Sequence, residues 1–359
     1  MITIERARRE NLAALPGIER DAAELFRGVA VAANALEEQT TDDEFAAAFQ
    51  RGHLWVAREA GAVVGFALVE LVGGEPHLDE LDVLRSHGRR GIGRLLVFTV
   101  RRWAEDAGYR GVTLTTFRDV PWNEPFYERC GFEVVPDAEL GPELRAQVKD
   151  EATRGLDPAT RVVMRCAFEP LDSRIARSVR EEVALAPYDP RWPESFRREK
   201  AHLEACLPRD LVRRVEHFGS TAVPGLAAKP IVDILVEVAD LQATRERIAP
   251  VLESQGYDYF WRPTMGNDPP FYAWFIKRDP ATGVRTHHIH MVENTPEFAG
   301  HWVRLLFRDY LIAHPERARE YAELKTRLAA SEHDRVAYTA GKTEFVLRIT
   351  ELAKRHYAP

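Results

Sequence analysis

Cysteine is scarce in this 359-residue chain: Cys130, Cys166 and Cys206 are its three cysteines, and no two are close in sequence. That excludes a disulfide-built scaffold and a cysteine-ligated zinc site, and it fits a reducing compartment. No apolar run reaches the roughly 20 residues that a bilayer-spanning helix needs. The opening residues, MITIERARREN, contain no long apolar segment. An excess of positive charge is missing as well. With 49 Lys and Arg against 56 Asp and Glu the formal charge is −7, which argues against a general nucleic-acid binder and leaves room only for a local basic groove. These absences predict a cytoplasmic protein with no membrane association, long enough for two or three domains.

What the chain does contain is HLDELDVLRSHGRRGIGRLLVFTVRRWAEDAG, from His77 to Gly108. Leu78 to Leu84 reads as a strand. Gly88, Gly91 and Gly93 then interrupt the pattern among arginines, and Leu95, Leu96, Val100 and Trp103 resume it at helical spacing. A tight glycine turn between strand and helix exposes backbone N–H groups at a positive helix end, which is what a phosphate or pyrophosphate requires. Arg89, Arg90 and Arg94 add charge, although an ordinary solvated turn accommodates the same composition. Neither the G-x-G-x-x-G dinucleotide pattern with its later acidic residue nor the G-K-[ST] of a P-loop is present. The run resembles the coenzyme A loop of the GNAT superfamily of N-acetyltransferases, [RQ]-x-x-G-x-[GA]. Gly91 and Gly93 match its last two fixed positions, while Gly88 stands where that family has arginine or glutamine.

That resemblance covers about residues 1–168 and implies a mixed, mostly antiparallel α/β (α+β) sheet. ITIER at 2–6 reads as an edge strand, residues 10–38 as helical material interrupted by Pro16 and Gly17, and Asp42 to Arg51 as a helix. Ala60-Gly61 marks a hairpin. The resemblance also implies that acetyl-CoA is held by Leu81, Val83, Arg89, Gly91, Ile92, Gly93, Arg94 and Asn123, and that a small-molecule or protein amine accepts the acetyl group. Amide formation needs a sink for the amine proton and a proton for the leaving thiolate. Glu80 and Asp82 share one strand face and could serve the first need, or form a solvated face. Tyr127 suits the second, because WNEPFYERCGF resembles the distal motif of the superfamily, in which an asparagine opens the helix and a tyrosine approaches the sulfur. A half-buried aromatic and a helix cap would look the same in isolation. Trp55, Trp122 and Phe126 could line an acceptor pocket or belong to the core, and direct transfer needs no nucleophile from Cys130.

A charged segment at 169–183 reads as a linker. Beyond it, residues 184–357 open with PYDPRWP and a helix at Trp192, continue through EHFGSTAVPGLAAKPIVDILVEV and HHIHM, and end in helices from Pro296. This half resembles the GrpB-like family, of nucleotidyltransferase fold, and implies a phosphate-binding turn at Gly219, Ser220 and Lys229. Catalysis in that fold uses carboxylates at D-x-D spacing to hold magnesium, and here Asp233 is followed by Leu235. His288 and His290 share a strand face and could join Asp233 around Mg2+ or Mn2+, or simply satisfy buried acceptors. The leading expectation is an acetyl-CoA-dependent N-acetyltransferase. The alternatives are a nucleotide- or coenzyme-binding protein without turnover and a metal-dependent nucleotidyl or phosphoryl transferase in the second half.

Overall fold

The computed structural model describes residues 2–29, 39–170, 173, 184–265, 268–331 and 335–358. The chain divides into two compact units, Met1–Phe168 and Glu169–Pro359. All of the stretch 30–38 and most of the segment 169–183 lie outside the described residues.

The first unit is built on strands β1 (Ile2–Arg6), β2 (Leu54–Glu59), β3 (Ala62–Val72), β4 (Glu75–Val83), β5 (Gly111–Phe117), β6 (Glu133–Val134) and β7 (Arg161–Ala167), in the spatial order β1-β2-β3-β4-β5-β7-β6. Each pairing is antiparallel except that of β4 with β5. Ala60 and Gly61, both at positive φ, make the two-residue turn between β2 and β3. Side chains alternate across the sheet, so each face gathers its own core. On one face Leu54, Val56, Phe66 and Leu68 meet Leu15 and Ile18 of α1 (Leu15–Ala23) and Phe45 and Ala48 of α2 (Asp42–Arg51). On the other, Ala57, Ala67, Val69, Leu78 and Leu114 meet Leu96, Val97 and Val100 of α3 (Ile92–Asp106). Pro16 and Gly17 do not interrupt a helix as expected; they lie in the first turn of α1, where the N–H that proline lacks has no helical partner to lose. The short α4 (Glu124–Arg129) and the polar α5 (Pro142–Thr153) complete the unit.

In the second unit β8 (Val212–Phe218), β9 (Val232–Val238), β10 (Asp258–Met265), β11 (Asp268–Arg278) and β12 (Arg285–Val292) form a sheet in the order β10-β11-β12-β9-β8, antiparallel except between β12 and β9. Its apolar core joins Ile234, Val236, Ile289, Met291 and Phe275 to Leu203 of α6 (Trp192–Cys206) and to Leu241 and Leu252 of α7 (Leu241–Arg247) and α8 (Ala249–Glu253). Pairing register puts Phe218, Asp233, His288, His290, Tyr272, Trp274 and Arg262 together on the opposite face. Helices α9 (Ala299–Ala313), α10 (Pro315–Ser331), α11 (Arg335–Ala340) and α12 (Thr343–His356) follow. No helix among the described residues is long and apolar enough to cross a membrane.

Candidate active site

Strands β4 and β5 pair at only two positions, His77 with Thr113 and Leu78 with Leu114, and the chain beyond them is not laddered. His77 Nδ1 and Thr113 Oγ1, 2.9 Å apart and buried, fix the vertex of this split. Burial pulls the His77 pKa down to about 4, so the vertex is uncharged near neutral pH. Just past it β4 carries one extra residue: Val69 of β3 faces Leu78 while Leu68 faces Glu80, leaving Asp79 as a bulge. The bulge changes which residues face α3. Leu81 and Val83 take the α3 side with Leu78, and Glu80 and Asp82 take the α1 side opposite Leu68 and Phe66.

The opening between the split strands is a cleft of about 570 Å³. Glycine shapes its α3 end. Gly91 is the N-cap of α3 at φ 79°, a left-handed conformation costly for residues with a Cβ. The Leu95 N–H bonds to the Gly91 carbonyl at 2.9 Å, so the amides of Ile92, Gly93 and Arg94 lie ahead of the helical ladder at its positive end. A Cβ on Gly93 would stand 3.5 Å from Phe126 Cζ, which keeps this turn's surface low. Arg89 lines the cleft and itself adopts positive φ, whereas Arg90 is committed to Glu59 at 2.6 Å. Arg94 Nε is buried without a hydrogen-bond partner. Open amides, a low glycine surface and an unsatisfied guanidinium nitrogen fit a pyrophosphate group.

Tyr127, Asn123, Phe126 and Trp122 form the opposite wall. Asn123 occupies the N-cap position of α4 without capping it; its Nδ2 donates to Thr116 Oγ1 of β5 at 3.0 Å and ties α4 to the split strand. The Tyr127 hydroxyl is held well above the usual phenol range by burial first, then by the charges of Glu80 and Asp82, so it keeps its proton. Burial, then Glu19, pushes the Asp82 carboxyl far above the ordinary carboxylate range, and its Oδ2 is buried without a hydrogen-bond partner. Asp79 is pushed up to about 7 by burial and then by Glu70. The sequence reading missed Glu19 and Asp79. Glu19 arrives from a helix sixty residues upstream, and Asp79 is exposed to the cleft only by a bulge. Trp55 belongs to the core, packed against Trp103 at 5.1 Å. Cys130 is buried, its thiol pushed up to about 11 by desolvation, and is no nucleophile.

The second unit contains a pocket of about 180 Å³ lined by Ser220, Lys229, Asp233, His288, Lys325 and Lys342 among others. Gly219 sits at φ 73°, and a Cβ there would meet Asp233 Oδ2 at 2.6 Å, so only glycine fits between the turn and β9. The buried Lys325 donates to Ser220 Oγ at 3.1 Å and to the Ala227 carbonyl. Its pKa is pulled down to about 7 by burial and then by Lys342. Lys229 and Lys342 lie 4.7 and 4.4 Å from the Tyr338 ring. The expected three-ligand metal site is not assembled. Asp233 Oδ1 and His288 Nδ1 are 3.2 Å apart, but His290 turns to Tyr272, stacked on its ring with Nδ1 3.2 Å from the hydroxyl. Among the described residues no three His, Cys, Asp or Glu side chains are grouped to hold a metal ion. Lys325 and Lys342 were missed because they enter about a hundred residues after Ser220.

The model of the GrpB protein family matches residues 182–352, and that of the acetyltransferase (GNAT) family matches residues 20–132. The UPF0157 protein YqkA of Bacillus subtilis is 37% identical over 178 residues, 49% of this chain and 48% of that protein. The chain thus spans about half the length of that relative. The glutamate-rich protein GrpB of Alkalihalophilus pseudofirmus is 36% identical over 168 residues, which are 46% of this chain and 92% of that protein. Among solved structures, the PaiA N-acetyltransferase of Thermoplasma acidophilum in complex with coenzyme A aligns with 47% of this chain and 99% of its own, at 14% identity and a TM-score of 0.36.

Proposed function

Because the chain belongs to the GrpB family through its second half and carries a GNAT acetyltransferase domain in its first, we propose that the first unit transfers an acetyl group from acetyl-CoA to a primary amine by direct attack. The observation that carries this reading is one cleft that combines a glycine-built amide turn, a split strand edge and a tyrosine beside two carboxylates. Bound acetyl-CoA would supply the activated thioester carbonyl. The amides of Ile92, Gly93 and Arg94, with Arg89, hold its pyrophosphate, and the unladdered edge of β4 at Leu81 and Val83 offers backbone groups to its amide arm. Asn123 keeps α4 seated against β5. As the new C–N bond forms and the C–S bond breaks, Glu80 takes the amine proton at a carboxylate oxygen, since Asp82 is held in its protonated form by burial. Tyr127 Oη holds the proton that the departing sulfur needs. Release of free thiol from acetyl-CoA in the presence of an amine panel tests the activity. Tyr127→Phe keeps the ring and removes the hydroxyl, so coenzyme binding should survive while kcat falls by about 10–1000-fold. A wild-type kcat in that variant would reduce Tyr127 to packing.

For the second unit we infer binding of a phosphate-bearing ligand at the Ser220 turn without catalysis. Lys229, Lys325 and Lys342 around Ser220 support this reading and supply the charge that the sequence reading had assigned to a divalent ion. Leu235 leaves Asp233 without the second carboxylate of a D-x-D pair. Calorimetric titration of the full chain with nucleoside triphosphates should give metal-independent binding that weakens at least about tenfold in Lys325→Met. Pyrophosphate release would instead make this unit an enzyme.

A further inference from the structure

The polar face of the second sheet holds two cations that, among the described residues, have no counter-charge in contact. Arg262 of β10 lies over the rings of Trp274 and Tyr272, at 4.8 and 5.9 Å, and Arg304 of α9 over Phe218 at 5.8 Å. Among the described residues neither guanidinium has an ion-pair or hydrogen-bond partner. Asp233 acts on Arg304 from a distance, but its carboxylate is bonded to His288. Arg262 and Arg304 are both half-buried, and desolvation lowers the Arg304 pKa.

Other unmet donors surround the same spot. Trp274 Nε1 is buried with no acceptor, and so is His301 Nδ1, whose ring packs on Tyr272 at 4.6 Å between ring centres. His301 Nε2 lies 3.3 Å from Thr264 Oγ1; if that nitrogen accepts the hydroxyl, Nδ1 carries the proton and becomes a donor. His290 stands 6.1 Å from Trp274 and 6.3 Å from His301, ring to ring. Both imidazoles are held down by burial first and then by Arg304, which places the positive charges at this cluster. Water could satisfy an indole or an imidazole, but it cannot neutralise two guanidiniums. Two half-buried guanidiniums without a counter-charge, set beside buried ring nitrogens that lack partners, form a receptor for an anion that arrives from outside.

We propose that Arg262 and Arg304, with Trp274 Nε1 and His301 Nδ1, form a binding site for an oxyanion, carboxylate or phosphoryl, on the sheet face of the second unit. The planar fork of arginine matches either group in bidentate fashion. This site uses none of the lysines around Ser220, so it stands or falls apart from that pocket.

The test is thermal unfolding of the full chain at low ionic strength, titrated with inorganic phosphate and separately with succinate, each against sodium chloride of equal ionic strength. Wild type should show a saturable rise in melting temperature with at least one of the two, and the more effective anion identifies the group recognised. Arg304→Met should melt at or above wild type in anion-free buffer, because it removes a half-buried charge without a counter-charge, and should respond to the anion at least tenfold more weakly. Arg262→Met should weaken the response in the same way, which keeps the test valid if one variant fails to fold. Lys325→Met, which disrupts the Ser220 pocket, should leave a saturable response to the same anion. The proposal is overturned if wild type gives no anion-specific rise, if the rise disappears in Lys325→Met, or if it persists undiminished when Lys325→Met is combined with either arginine variant.

Discussion

Single residues decide what the first cleft can do, and backbone geometry makes the sharpest case. Replacing Gly91 by valine forces a β-branched residue into left-handed φ at the mouth of α3, and Gly93→Val drives side-chain atoms toward Phe126. Each should weaken coenzyme A binding by at least about tenfold in calorimetric titration, while Arg89→Ala should cost less because that side chain is solvent-exposed. Unchanged affinity in both glycine variants would remove the turn from the site. Asp79 offers a pH test. Its native pKa of about 7 lies above its ordinary value of 3.8, so the folded state holds a proton that the unfolded state releases. Stability from that proton is complete below the ordinary value and is lost as pH rises through about 7. Asp79→Asn should therefore melt higher than wild type at pH 8, by on the order of 2–8 °C, and the difference should shrink toward pH 4. A variant that melts lower at pH 8 would contradict the burial argument. The glycines and the Asn123–Tyr127 pair were legible in sequence because local geometry and a short motif dictate them. Glu19, Asp79, Lys325 and Arg304 were not, since each matters only through residues the fold brings to it.

At the scale of elements, much of the secondary structure could be read from periodicity, including the Asp42–Arg51 helix and the Ala60-Gly61 hairpin. Boundaries that depend on tertiary packing could not: the apolar periodicity from Leu241 to Glu253 runs on while the chain forms two helices, α7 and α8, with Pro250 at the start of the second. One buried carboxylate adds to the apolar contacts that hold α6 to its sheet. Glu199, 3% exposed, accepts a hydrogen bond from the Tyr257 hydroxyl at 2.5 Å and another from Lys277 on β11. Glu199→Ala would strand a lysine and a phenol and should destabilise the second unit by about 3–5 kcal/mol, read as a lower calorimetric transition. A transition within a degree of wild type would mean that apolar packing alone seats α6.

At the scale of the whole chain, each unit owns a sheet and an apolar core, so residues 1–168 expressed alone should fold and bind coenzyme A with the affinity of the full protein. Isothermal titration checks this, and a tenfold loss would show that the cleft needs the rest of the chain. Fold class was open to sequence reasoning at this scale because strand and helix signals summed over long spans, whereas a site's chemistry depends on a few contacts. The bulge in β4 gives this molecule one point where a residue stands in a strand without a place in its ladder. Upstream of Asp79 an even-numbered residue, Leu78, faces α3; downstream the odd-numbered Leu81 and Val83 do. Asp79 thus works like an inserted letter that changes the reading frame of a strand. Substituting it leaves the frame intact, and deleting it would join Leu78 to Glu80 in regular alternation with Leu81 and Val83 still facing α3; a strand that flattened Asp79 into its ladder would instead exchange the two walls without the change of a codon.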